Sequence, residues 1–301
     1  MSAAVEAAPR AATSRSFVSS RNVTRVVIYG LLLLFAAIYL MPLYVMIVTS
    51  FKTLDEVRDG NMLQLPQQFT TAPWANAWGE ACIGLTCRGI NGYFWNSIKM
   101  VVPAVAISTI VGAFNGYVLT KWKFPGHKII FALMLFGCFI PFQVVLIPMA
   151  RTLGTLGIAN STVGLIFVHV AYGIGFTTLF FRNYYVSFPD ELMRAAMMDG
   201  AGFFQIFWRI ILPTSLPIVV VTVIFQFTNI WNDFLFGAAF AAGEGAPMTV
   251  ALNNLVSTST GVKEYNVDMA AAVIAALPTL LVYIVGGRFF VRGLMAGAVK
   301  G

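Results

Sequence analysis

Pro189-Asp190-Glu191-Leu192-Met193-Arg194-Ala195-Ala196-Met197-Met198-Asp199-Gly200-Ala201, followed by Ile210-Ile211-Leu212-Pro213, is a polar, helix-forming interruption in a chain that is otherwise almost wholly apolar. Asp190 and Glu191 suit a helix N-terminus, where acidic groups complement the dipole. Leu192, Ala195, Ala196 and Asp199 continue at helical spacing with a small-residue face that another protein can approach closely, and Gly200 breaks the helix. Long apolar runs flank the segment on both sides. A polar helix set between such runs has to be solvated or bound outside a bilayer, so the runs are read as membrane spans and this segment as a loop joining two of them. A helix resting on the membrane surface is the alternative, but Glu191 and Asp199 would meet anionic lipid unfavourably and the basic face of such helices is missing.

Composition agrees. The 301 residues are 58% hydrophobic and 10% charged, with a mean hydropathy of +0.80, whereas soluble domains carry about 25% charged residues. About 20 helical residues cross a hydrocarbon core of about 30 Å. Runs of that length lie at about 26–48, 96–120, 129–150, 161–181, 211–239 and 268–287. They lack the apolar–polar alternation of barrel strands, and backbone groups at that depth must be satisfied within the segment. The expected fold is all-α and polytopic, with six transmembrane helices and a cytoplasmic helix in the loop 188–213. The expected division is a disordered tail over 1–24, a membrane domain over 25–292 and a C-terminal tail over 293–301. The first run exceeds the roughly 7–15 apolar residues of a cleavable signal, so it is read as a retained span.

Basic residues set the orientation. Arg10, Arg15, Arg21, Arg25, Lys121, Lys123, Lys128, Arg182, Arg194, Arg209, Arg288, Arg292 and Lys300 fall on one side. Lys52, Arg58, Arg88, Lys99, Arg151 and Lys263 fall on the other. The richer side is expected to be the cytoplasm, which places both termini and the 189–201 segment inside. The net charge of +7 is thus a topology signal, and no basic surface domain is present to bind nucleic acid. Of the three cysteines, Cys138 lies within the third run. Cys82 and Cys87 share the first outward loop, where an oxidising compartment lets four intervening residues close a small disulfide ring; two free thiols are the alternative. With no histidine near either, zinc is not expected.

Catalytic motifs are scarce. No G-x-x-x-x-G-K-[ST] loop occurs, so this chain holds no ATP by that route, and H-E-x-x-H is missing. The two histidines are His127, in a basic turn, and His169, within the fourth run, as a hydrogen-bonded structural residue or a proton carrier. Asp233 is the one clear carboxylate at membrane depth, and its cost there requires it to face water or the bundle interior. Asn229 shares a helical face with Asn232 or Asp233, beside Phe227, Trp231 and Phe234. Amide and carboxylate groups next to aromatic rings suit sugar hydroxyls and pyranose faces; interhelical packing is the competing reading. Pro141 and Pro148 are expected to kink the third run, or to hinge it.

The 189–213 segment resembles the coupling loop of ABC-importer permeases, which reads E-A-A, two residues, D-G-A, then a spaced I-x-L-P. Ala195-Ala196, Asp199-Gly200-Ala201 and Ile210–Pro213 stand at matching spacings, with Arg194 where that family has Glu. Asn96-Ser97, Phe124-Pro125-Gly126, Leu153 to Leu165, Trp231-Asn232-Asp233-Phe234 and the ending from Arg292 to Gly301 are similar to the maltose-type carbohydrate permeases. That resemblance implies a heterodimer with a second permease, two ATPase subunits that bind ATP and Mg, and an extracytoplasmic sugar-binding protein, in a bacterial inner membrane. It assigns ATPase coupling to Glu191, Arg194, Ala195, Ala196, Asp199, Gly200 and Ala201, and a loop reaching the binding protein to 241–267. In such importers the partner permease often holds the sugar contacts. The cysteine loop is similar to loops of glucose/mannose-type importers, while oligosaccharides, polyols and glycerol phosphates stay open. A carrier driven by an ion gradient would require more buried charge than Asp233, and a membrane enzyme would require a catalytic cluster that these residues do not assemble.

Overall fold

The computed structural model describes residues 20–122, 124–257 and 262–298, with side chains over 23–122, 124–257 and 262–287. Most of the expected N-terminal tail, the 258–261 stretch of the 241–267 loop and the last three residues of the C-terminal tail lie outside them. The chain forms two units, Met1–Met46 and Ile47–Gly301. The first contributes nearly all of α1 (Ser20–Thr49), an apolar helix with Pro42 inside it. Its large side chains, Leu33 and Tyr39 among them, are exposed, as befits a helix whose solvent is lipid.

The second unit opens with two short helices, α2 (Leu54–Asp59) and α3 (Ala72–Gly79), and a hairpin of β1 (Cys82–Ile83) with β2 (Thr86–Cys87). The hairpin pairs Cys82 with Cys87, and a disulfide joins them. The long helix α4 (Asn91–Lys121) follows, then α5 (His127–Cys138), α6 (Phe142–Thr155) and α7 (Thr162–Val186). Ser161 caps α7 by accepting the Gly164 N–H at 3.0 Å. Next come α8 (Asp190–Met198), α9 (Phe203–Ile206), a π-helical turn over Phe207–Ile211, and α10 (Leu212–Thr214). The chain closes with α11 (Leu216–Trp231), α12 (Leu235–Phe240), α13 (Met248–Ser257) and α14 (Tyr265–Ala298). The fold is all-α and polytopic, with the hairpin as the only sheet among the described residues.

Four helices are long and apolar enough to span: α1 over Val23–Thr49, α4, α7, and α14 over Tyr265–Gly287. The third and fifth expected spans are broken. α5 and α6 meet at 104°, and Phe203–Thr214 meets α11 at 78°, so the total reaches six with each bent pair taken as one span. Pro141 stands at the N-cap of α6, where its restricted ring starts a helix more readily than it continues one. The expected run 211–239 also ends early, because α11 stops at Trp231 and α12 begins at Leu235. Helix α14 continues through Ala298, into the segment expected as the C-terminal tail.

Close backbone approach holds α4 to α7. Gly112 and Gly116 stand four residues apart on α4, the small-xxx-small spacing of membrane helix pairs. A Cβ on Gly112 would sit 2.2 Å from Thr177 Oγ1, and one on Gly116 would sit 2.7 Å from the Phe181 Cβ. Asn96 and Ser97 at the other end of α4 hold the loop before α13: Asn96 Nδ2 donates to Glu244 O at 2.6 Å, and Ser97 Oγ accepts the Met248 N–H at 2.8 Å.

Candidate functional site

The helix α8 is built as a lid on an aromatic platform. Met193 and Ala196 are buried against Tyr117, Phe181, Tyr185 and Phe207. Glu191, Leu192, Arg194, Ala195, Met197 and Met198 are exposed on the remaining surface. Asp199-Gly200-Ala201 ends the helix with a C-terminal cap. The Ala201 N–H donates to Ala196 O at 2.9 Å and the Gly200 N–H to Met197 O at 3.1 Å, with Gly200 at φ +81°. This six-to-one and five-to-two pattern needs a left-handed residue at its centre, which glycine adopts without a Cβ penalty. At the other end, Lys121, the last residue of α4, donates to Phe188 O and Asp190 Oδ1, each at 2.7 Å.

Further along α7 a cavity of about 490 Å³ opens at the α5–α6 break, between α7, α11 and the start of α12. That volume lies in the roughly 300–1,000 Å³ range of small-molecule sites. Its polar groups come from His169, Gln226, Asn229 and Asp233, and its walls include Phe142, Tyr172, Phe176, Phe225 and Phe236. The Asp233 carboxylate caps α12: Oδ2 accepts the N–H groups of Phe236 at 3.0 Å and Gly237 at 3.2 Å. His169 Nε2 lies 3.9 Å from the same oxygen, beyond hydrogen-bond reach, and is buried without a hydrogen-bond partner. The Phe236 ring packs edge-on to the His169 imidazole at 5.6 Å and to Tyr172 at 5.5 Å. Gln226 reaches Ser108 Oγ at 3.0 Å, passing Gly173, where a Cβ would lie 2.0 Å from its Nε2.

Residues 105–292 match the family of binding-protein-dependent transport system inner membrane components. The chain belongs to that family. The permease is 42% identical over 283 residues to a probable ABC transporter permease of Pyrococcus horikoshii, an alignment covering 92% of this chain and 98% of that one. It is 32% identical to a xylose/arabinose import permease of Haloferax volcanii, over 94% of this chain and 96% of the other. Among solved structures, a chain of a bacterial ABC transporter involved in import of the acidic polysaccharide alginate superposes with a TM-score of 0.77 at 20% identity, covering 90% of this permease and 98% of that chain. The likeness to that structure is one of fold. Family membership makes the chain a multi-pass membrane permease subunit and not an enzyme.

The expected site residues divide between two places. Glu191, Arg194 and Ala195 lie on the exposed surface of α8, whereas Ala196 faces inward and anchors the helix to its own chain. Asp199, Gly200 and Ala201 form the cap. Asn229 and Asp233 line the cavity and Asn232 does not, because α11 ends at Trp231 and leaves Asn232 as its exposed C-cap. Asn229 Nδ2 turns back to Phe225 O at 2.9 Å. Of the two alternatives for a face shared with Asn229, the cavity takes Asp233 and leaves out Asn232. Gln226 and His169 are cavity residues that the sequence pattern does not place there. For Gln226, a glutamine amid the apolar residues of α11 is the available signal.

Proposed function

We propose that this permease is the smaller membrane subunit of an ATP-driven sugar importer. It works beside a second permease, two ATPase subunits that bind ATP and Mg, and an extracytoplasmic sugar-binding protein. Both termini and α8 face the cytoplasm, where α8 docks on an ATPase subunit and passes its motion to the spans. The observation that carries this reading is the surface of α8. Leu192, Met197 and Met198 are exposed beside Glu191 and Arg194, while Met193 and Ala196 fix the helix from behind. Exposed apolar side chains on a short polar helix suit a protein groove better than water.

Relatives support a sugar as the cargo: besides the xylose/arabinose permease, others carry names for diacetylchitobiose and glucose import. The cavity supports a neutral sugar, and a monosaccharide such as glucose or mannose is the reading we favour. Its lining offers two amides, a carboxylate and an imidazole among aromatic rings, with no Lys or Arg among the described residues that line it to neutralise a phosphate or uronate.

Co-expression with the partner permease, ATPase and binding protein, followed by reconstitution in proteoliposomes, tests the assignment. Uptake of radiolabelled glucose, mannose, xylose or arabinose should require both the binding protein and ATP on the side of the membrane that holds the ATPase. Uptake that proceeds without ATP but follows an imposed ion gradient would replace the importer with a secondary carrier.

A further inference from the structure

We propose that Lys121 is the positioning residue that makes α8 and the α4–α7 pair move as one body, so that displacement of α8 becomes displacement of the spans. The proposal rests on the reading of α8 as the coupling helix and names the link behind it. Three helix ends meet at this side chain: the last residue of α4, the exit from α7 and the first turn of α8. The Lys121 side chain is only 6% exposed, whereas Asp190 is 61% exposed. Lysine is almost never buried unless paired. Here the ammonium donates to Phe188 O and to Asp190 Oδ1 at 2.7 Å, and lies 5.8 Å from the Phe188 ring centroid.

The surroundings of the clamp offer no easy slip. Four residues before Lys121, on the same face of α4, Tyr117 is fully buried and its hydroxyl donates to Phe203 O at 3.3 Å. The far side of α8 is thus tied to α4 as well, through the segment that follows its cap. Behind these ties, Gly112 and Gly116 seat α4 on α7 at backbone distance. An element fixed at both ends to a rigid pair cannot be displaced alone. By contrast, the route from α8 to α11 runs through a π-helical turn and a 78° bend at Ser215, which are places where a helix yields. The stiff route is therefore through Lys121.

Two measurements on the assembled importer test this. In the first, Lys121→Met keeps the buried stem and removes the charge and donors, while Lys121→Arg keeps the charge. Lys121→Met should hydrolyse ATP near the wild-type rate yet lose about fivefold or more in sugar moved per ATP, the low end of coupling between sites. Lys121→Arg, which keeps donors for both Phe188 O and Asp190, should recover most of the ratio. An unchanged ratio in Lys121→Met, or a loss of assembly with the ratio intact, would overturn the clamp. Gly200→Pro run in parallel separates the two ideas: normal uptake in that variant removes the coupling role of α8 itself. The second measurement needs no sugar. Spin labels at Met198 on α8 and Ile110 on α4, both exposed positions, should report the same distance in nucleotide-free and ATP-trapped complexes. Lys121→Met should broaden that distance, and a wild-type distance that changes between the two states refutes the single-body motion.

Discussion

Asp233 has two roles at once, capping α12 through Phe236 and Gly237 while facing the cavity beside His169. Asp233→Asn keeps one acceptor oxygen for the cap, so the fold should hold while uptake rate or sugar preference changes. Asp233→Leu removes the cap as well, at about 0.5–2 kcal/mol, and should lower both assembly and uptake. Uptake measured per assembled complex separates these effects; identical kinetics and preference in both variants would return Asp233 to a purely structural role. Gly200 gives a second residue-scale test. At φ +81° an alanine costs about 1 kcal/mol or slightly more, and its Cβ would meet no heavy atom within 4 Å. Gly200→Ala should therefore leave the platform intact and speed amide exchange across 190–198 by several-fold. Exchange at the wild-type rate would mean that the cap contributes little.

At the scale of elements, the α4–α7 seam is held at backbone distance by Gly112 and Gly116. Branched side chains at Gly112 or Gly116 must push the helices apart, since the nearest atoms belong to Thr177, Phe181 and the backbone of α7. Overpacking of this kind costs about 1–3 kcal/mol. Gly112→Val and Gly116→Val should each lower the unfolding midpoint of the detergent-solubilised permease, while Gly79→Ala, at an open position in α3, should not. A midpoint unchanged in both valine variants would show that the seam tolerates separation. The bent pairs belong to this scale too. Pro141 is visible in the sequence as an interruption, yet whether it kinks a span or divides it depends on which neighbours fill the bend. Here Phe142, Tyr172 and Phe236 pack together there, with ring centroids 5.5–6.4 Å apart.

For the whole molecule, the proposed orientation, with α8 in the cytoplasm and the loop from 49 to 95 outside, has a direct test. With Cys138→Ser as background and the Cys82–Cys87 disulfide retained, a membrane-impermeant maleimide added to intact cells should label Met62→Cys and spare Met198→Cys, both exposed positions. The reverse pattern would invert the topology and with it the direction of docking.

Fold class, the approximate position of each apolar run and the family were legible in the sequence, because each is written in local terms. Run length, charge placement and the spacing of Ala195-Ala196 to Asp199-Gly200-Ala201 need no knowledge of distant contacts. What a given residue faces is not local. Ala195 and Ala196 are chemically alike and adjacent, but one is exposed and the other anchors α8, a choice made by Tyr117, Phe181 and Phe207 from three other segments. On a continuous helix Asn229 shares a face with either Asn232 or Asp233; the chain turns after Trp231, whose indole N–H donates to Ala275 O on α14 at 2.8 Å, and only Asp233 joins Asn229 in the cavity. Lys121 read only as one more cytoplasmic charge. Tertiary packing brought the ends of α4, α7 and α8 to its ammonium, because a buried cation is stable only where acceptors converge on it.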